Sequence, residues 1–64
     1  MCLATVYKGA QKPENIVLTN VQRIDCMDGQ IILTDIMERQ AVVVGHLVSI
    51  DLVGNTALVA PAED

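Results

Sequence analysis

The chain has 64 residues, 52% of them hydrophobic, and eight acidic residues against four basic ones give a net charge of −4. This length predicts one small domain, residues 1–64, and a hydrophobic content this high excludes a disordered chain. The basic residues are scattered and only one side chain is aromatic, which disfavours nucleic-acid binding, because that needs clustered cations and, for single strands, aromatic rings that stack on bases. The basic residues are Lys8, Lys12, Arg23 and Arg39.

Neither a secretory signal nor a membrane span is predicted. Met1 is not followed by a basic region and a long apolar stretch, and no apolar run is long enough to cross a bilayer. We therefore expect a soluble, cytoplasmic protein without membrane contacts. In that reducing compartment Cys2 and Cys26 are expected to remain thiols.

Apolar and polar residues alternate along most of the chain, which predicts strands and little helix. Asp28-Gly29, flanked by strand-like residues, predicts a hairpin with a type I′ turn. Glu38-Arg39 and Gly54-Asn55 are interpreted as two further tight connections. In chain order, the predicted strands are 2–8, 15–19, 21–27, 30–37, 40–44, 46–53 and 56–60.

The predicted fold is all-β: a small antiparallel β-barrel of the Sm-like or SH3-like kind, built from six or seven short strands. An open sheet completed by a second protomer is the alternative. Both faces of the strand at 30–37 carry large aliphatics, because Ile31 and Leu33 point one way while Ile32 and Ile36 point the other. One barrel has a single interior, so the second apolar face predicts a homodimer.

Cys2 is the most informative candidate for chemistry. Its thiolate and main-chain amide lie within a few bonds of the α-amine of Met1, so two five-membered chelate rings can close on one ion. Planar nitrogen and sulfur donors suit Ni(II) or Cu(II). A small buried hydrophobe on the first strand is the alternative interpretation of Cys2. If two first strands meet at a twofold axis, one metal per dimer with matched ligands follows.

The other candidates carry weaker signals. Cys26 is predicted to lie in the core in line with Ile24, and with two cysteines a structural zinc site is not expected. His46 is either a metal ligand or an ordinary residue at the start of a strand. The carboxylates and glycines fit turns and polar faces, and no catalytic arrangement is predicted, so we do not expect an enzyme.

The opening Met1-Cys2-Leu3-Ala4-Thr5-Val6-Tyr7, the short acidic chain and the mid-chain hairpin resemble the CooT family. These are small nickel-binding accessory proteins for maturation of nickel-containing carbon monoxide dehydrogenase. The resemblance extends over essentially the whole chain and implies a homodimer that binds Ni(II) at its interface through the residue that is Cys2 here. Met1 as a second ligand is an extension from chelate geometry, and no role is carried over to His46.

The leading hypothesis is therefore a nickel chaperone or reservoir that acts with carbon monoxide dehydrogenase or its other maturation factors. Two alternatives remain open. One is a small RNA-binding β-barrel, which needs the four cations on one face. The other is a metal-independent interaction module, with Cys2 merely packed against its neighbours.

Overall fold

The computed structural model describes residues 2–62, and these form an all-β domain with a single short 3₁₀ turn at Pro13–Asn15. The all-β expectation is confirmed, but the predicted number of strands is wrong, because the chain has five rather than six or seven. The strands are β1 (Ala4–Lys8), β2 (Ile16–Met27), β3 (Gln30–Asp35), β4 (Gln40–Asp51) and β5 (Thr56–Pro61).

The five strands close into a ring in the order β1-β2-β3-β4-β5. Neighbouring strands pair antiparallel except where β5 lies parallel to β1 and closes the ring, with Thr5 opposite Thr56. The long strands β2 and β4 each serve two neighbours. Thus β4 pairs with β3 before Gly45 and with β5 from Gly45 onward. The Sm-like or SH3-like type and the homodimer stay predictions.

Two predicted strand breaks are bends within continuous strands. At Asn20 the backbone has a φ of 55° and the register shifts nearby, yet β2 continues. At Gly45 the chain passes so close to β5 that a Cβ would lie 1.9 Å from the Ala60 carbonyl oxygen. Asn20 and Gly45 interrupt the alternation of apolar and polar residues, which suggested loops. The strands paired with β2 and β4 on either side nevertheless keep the backbone extended.

Of the hairpin turns at 28–29 and 52–55, the sequence predicted the type of the first correctly and the length of the second incorrectly. Asp28 and Gly29 have φ values of 50° and 75°, which confirms the type I′ hairpin, since that turn needs positive φ at both central positions. The β4–β5 connection has four residues, 52–55, instead of the two predicted. The Asp51 carboxylate organises it by accepting hydrogen bonds from the N–H groups of Val53 and Gly54 at 3.0 and 2.9 Å.

The core is entirely aliphatic and lies inside the ring. The face of β4 that contributes to it includes Val43 and Leu47, while Val48 and Ile50 are half-exposed. An irregularity between Leu47 and Ser49 shifts the register there. The buried core residues are Val6, Val21, Ile31, Leu33, Val43, Ala57 and Val59.

Asp35 ends β3 and is fully buried. Its carboxylate accepts the Met37 and Arg39 backbone N–H groups at 2.9 and 2.8 Å and pairs with the Arg39 Nε at 2.8 Å. Burial by itself raises the pKa of Asp35. The hydrogen bonds and charge of Arg39 and the Met37 N–H outweigh burial, so the pKa lies below its ordinary value. The carboxylate thus holds the β3–β4 turn, residues 36–39, in place.

We expect Asp35→Asn to destabilise the protein at pH 7, with the difference from wild type shrinking in acid. The native pKa lies below the unfolded one, so this stabilisation is complete at neutral pH, declines as the pH drops below about 4 and is lost below the native pKa. Urea denaturation between pH 7 and pH 3 measures this. Asp25→Asn, which removes a solvent-exposed pair with Arg23, is the control and should change little. A pH-independent difference for Asp35→Asn would refute this role of the carboxylate.

Candidate metal centre at the start of the chain

Cys2 lies just before β1 and its side chain is exposed. Two contacts position this part of the chain. Ala4 lies opposite Val21 on β2, and the Thr5 N–H donates to the Asn55 carbonyl at 3.0 Å. The alternative interpretation of Cys2 as a buried hydrophobe is therefore wrong. Met1, the second predicted ligand, lies outside the described residues.

Two turns flank β4 at its opposite ends, and we call the end where the β4–β5 turn meets β1 the Cys2 end. The β4–β5 turn is tied to β1 through the Thr5–Asn55 hydrogen bond. The β3–β4 turn follows Asp35, which lies opposite Val21, and its Ile36 N–H donates to the Asn20 carbonyl at 3.0 Å. The start of β1 is therefore bonded to the β4–β5 turn, whereas the β3–β4 turn is bonded to β2.

Large aliphatic side chains are exposed on these two turns to an unusual degree. Val53 is 95% exposed, Leu52 82% and Met37 71%. Turn positions normally carry Gly, Asn, Asp or Ser, so the local conformation does not call for these side chains. One feature of the sequence points to exposed aliphatics in a turn, namely the pair Leu52-Val53 directly before Gly54-Asn55. The predicted strand 46–53 nevertheless included both side chains. The apolar end surface, as we name it, consists of Ile50, Leu52 and Val53, which lie at the end of β4 and in the β4–β5 turn.

Carboxylates of the two turns that flank β4 already have hydrogen-bond donors. Asp35 is paired with Arg39, and Asp51 accepts from its own turn. Glu38 accepts a hydrogen bond from the Gln22 side-chain amide at 3.0 Å. The charges of both turns are thus held in local interactions.

Cys26 is not a core residue, contrary to the expectation from the sequence. It is exposed near the end of β2. In register it lies opposite the buried Ile31, so it occupies the inward-facing row where the ring opens. A shallow, mostly apolar cleft at this mouth is bordered by Cys26, Ile31 and Leu47. The exposure of Cys26 depends on how close it lies to the end of the strand. The alternation of apolar and polar residues does not reveal that distance.

His46 also borders that cleft. It is exposed on β4 opposite Ala60, a neighbour of Leu47 in the row that faces away from the core. Within residues 2–62 no three His, Cys, Asp or Glu side chains come together as a metal-binding group. Cys2, Cys26 and His46 therefore do not form a three-residue metal site within one copy of the described residues.

The four cations do not form one basic face. Arg23 pairs with Asp25 at 3.0 Å and Arg39 pairs with Asp35 at 2.8 Å, while Lys8 and Lys12 flank the loop after β1. An open polar cleft on the outside of the ring does include Arg23, but two carboxylates share it. The residues bordering this cleft are Gln22, Arg23, Asp25, Thr34, Glu38 and Gln40. Phosphate tracking needs several free cations in a row, and this surface lacks them.

In the part of the chain that the structure describes, no helix is long and apolar enough to cross a bilayer. The described residues form a small all-β domain, a closed ring of five strands with an exposed thiol just before β1. The family model described as "CO dehydrogenase accessory protein CooT" matches residues 1–60. The chain therefore belongs to the CooT family, whose description is that of an accessory protein to CO dehydrogenase. No curated protein matches the chain.

Proposed function

We propose that this protein binds Ni(II) through the Cys2 thiolate and supplies or stores it for maturation of nickel-containing carbon monoxide dehydrogenase in the cytoplasm. The observation that carries the proposal is the exposed sulfur of Cys2 at the start of a chain that belongs to a CO dehydrogenase accessory family. A cargo ion has to enter and leave. An exposed thiol permits both, whereas a closed four-ligand site would hold the ion too firmly.

The donor chemistry supports nickel as the cargo. Thiolate, amide nitrogen and amine from Cys2 and Met1 form a planar field, which Ni(II) favours. Copper ranks above nickel in the general affinity order, so geometry and metal availability have to provide selectivity. Amide ligation releases the main-chain proton and thiolate ligation releases the thiol proton, so nickel affinity should rise with pH.

We propose further that the nickel site lies where two copies of the chain meet. The proposal is supported by the hydrogen bond from Thr5, three residues after Cys2, to Asn55 of the β4–β5 turn. Burial between two copies would remove the exposed Leu52 and Val53 of that turn from water. An ion on a twofold axis receives the same donors from each copy. A site of two thiolates and two nitrogens would then need one thiolate and one nitrogen per chain.

Calorimetric titration with Ni(II), Zn(II) and Cu(II), combined with native mass spectrometry, tests this function. We expect saturable Ni(II) binding at one ion per two chains, with affinity that increases between pH 6 and pH 8. Binding of nickel with equal strength to a chain whose Cys2 sulfur is alkylated would contradict the proposal. So would the absence of nickel binding to the fully reduced protein.

A metal-independent interaction module remains a second candidate because the apolar end surface is so exposed. In that case Cys2 would have no chemical role and the aliphatic side chains would dock a maturation partner. Metal-free and nickel-loaded protein would then bind such a partner equally well in a pull-down. A difference of tenfold or more between the two forms would favour the nickel carrier.

A further inference from the structure

The first half of β4 has one edge without a partner strand. β4 pairs with β3 from Gln40 to Val44, and its pairing with β5 begins only at Gly45. The Ala62 N–H then donates to the Val44 carbonyl at 2.8 Å. Within residues 2–62 no further strand pairs with residues 40–43 on the side away from β3. We call residues 40–43 the open edge.

The hydrogen-bond pattern shows which backbone groups of the open edge lack a partner strand. The Gly45 N–H donates to the Gly29 carbonyl at 2.8 Å, on the side of β3, whereas the Val44 carbonyl accepts from Ala62 on the other side. Successive residues of a strand direct their backbone groups to alternate sides. The N–H and the carbonyl of Val42 are therefore directed away from β3. Such groups are a template for another strand.

The open edge carries none of the features that usually block strand addition at a free edge. Charged side chains, prolines and bulges serve that purpose in native sheets, but residues 40–44 contain no charge and no proline and pair with β3 in regular register. The other edge of this sheet, on β2, is protected. Arg23 and Asp25 form an ion pair there, and the register shifts between Val21 and Arg23. This contrast singles out the β4 edge.

An apolar patch lies on the outer face of the sheet beside the open edge. Val42 and Val44 are 56% and 59% exposed. Val42 lies opposite Ile32, the aliphatic on the second face of β3, whereas the buried Val43 faces the core. A strand added at the open edge would place every second side chain beside Val42 and Val44. The patch therefore fits a segment with apolar side chains at alternate positions.

Uncompensated acidic charge borders this patch. Glu38, two residues before the open edge, accepts a hydrogen bond from the neutral Gln22 amide, and Asp28 is exposed in the β2–β3 turn. The arginines nearby, Arg23 and Arg39, are each paired with an aspartate. Charge complementarity thus favours a segment with basic residues near its ends. A second copy of the chain, with a net charge of −4, is a poorer match.

We propose that the open edge binds an extended segment of a partner protein, which joins the sheet as an added strand beside β4. The segment carries apolar side chains at alternate positions and lysine or arginine near its ends. Main-chain hydrogen bonds provide the affinity of such a complex and the side-chain contacts its specificity. The inference goes beyond the proposed function, because it assigns a protein-binding surface that does not depend on nickel.

Fluorescence anisotropy with a labelled peptide and the full chain tests this site. The peptide alternates valine and threonine over six residues and has two lysines at each end. We expect Val42→Lys, which places a cation on the open edge, to weaken binding by about tenfold or more. Met27→Lys is the matched control, because Met27 is 54% exposed on the same outer face but lies on β2, opposite Gln30. It should change binding by less than about threefold.

Two further variants separate the backbone from the side chain. Val42→Pro removes the N–H, and a strand edge tolerates proline where the N–H points away from the neighbouring strand. It should abolish binding, whereas Val42→Thr keeps the N–H and the branched side chain and should retain it. Amide hydrogen exchange followed by NMR needs no variant. The Val42 amide should exchange rapidly in the free protein and about tenfold or more slowly with the peptide bound.

Far-UV circular dichroism checks that the variants fold. The inference is overturned if wild type does not bind the peptide, if Met27→Lys weakens binding as much as Val42→Lys, or if the Val42 amide is already protected in the free protein. A change in the sedimentation of the free protein caused by Val42→Lys would make a second copy the occupant and would also overturn it. Failure of the proposed function is separate, since it shows as loss of nickel binding with peptide binding unchanged.

Discussion

Replacing Cys2 by serine should abolish the sulfur-to-nickel charge-transfer absorption and weaken nickel binding by more than about 100-fold. Even groups that only orient a metal ligand cost about 10- to 100-fold in affinity when removed, and the thiolate is the one sulfur donor that each chain provides in the proposed site. Cys2 lies outside the strands and is exposed, so the fold should remain intact. Absorption titration with Ni(II) and thermal denaturation measure the two effects.

Cys26→Ser is the matched control, since Cys26 is the other free, exposed cysteine. It lies on β2 beside the β2–β3 hairpin and opposite Ile31 of β3. We expect this variant to keep the charge-transfer band and the nickel stoichiometry of wild type. If instead Cys26→Ser loses the band and Cys2→Ser retains it, the thiolate has been assigned to the wrong cysteine.

Replacing Gly45 by alanine should destabilise the protein by about 3 kcal/mol or more, at the upper end of what overpacking costs. The added Cβ would lie 1.9 Å from the Ala60 carbonyl oxygen and 2.9 Å from the Pro61 Cα. Both are backbone atoms of a paired strand and cannot rotate away. A domain of this size rarely has more than about 3–5 kcal/mol to lose, so the variant should be largely unfolded in urea denaturation at 25 °C.

Gly29→Ala separates steric collision from backbone strain. Gly29 also has a positive φ, of 75°, but nothing lies within 4 Å of its would-be Cβ. Alanine there should cost only about 1–2 kcal/mol, the penalty of a left-handed conformation for a residue with a side chain. Equal destabilisation by the two substitutions would mean that the close approach of β4 to β5 at Gly45 is not what requires glycine.

Much of the fold could be predicted from local pattern. The alternation around Ile31 and Leu33 predicted strands with a buried face, and both residues are in the core. The Asp28-Gly29 turn was predicted from its own conformational needs, because few residue pairs accept positive φ twice. The strand count was wrong because Asn20 and Gly45 interrupt the pattern without interrupting the pairing. Whether a chain bends or turns at such a residue depends on the strands beside it.

The candidate site was predictable in its chemistry but not in its surroundings. The position of Cys2 beside Met1 defines a set of donors by covalent connectivity alone, and the exposure of its sulfur agrees with a role in binding. The expectation for Cys26 failed because alternation gives the face of a strand, not the distance to the end of the ring. The exposure of Leu52 and Val53 was not predicted, because the predicted strand 46–53 included both, whereas β4 ends at Asp51.

The amino-acid sequence by itself determined the all-β class, the aliphatic core composition, the type I′ hairpin and the family to which the chain belongs. These properties depend on residues close to one another along the chain or on side-chain chemistry that folding does not alter. Closure of five strands into a ring, the exposure of Cys26 and the contact of the β4–β5 turn with the start of β1 were decided only by the tertiary structure. They depend on hydrogen bonds such as Thr5 to Asn55, which join residues that no local pattern relates.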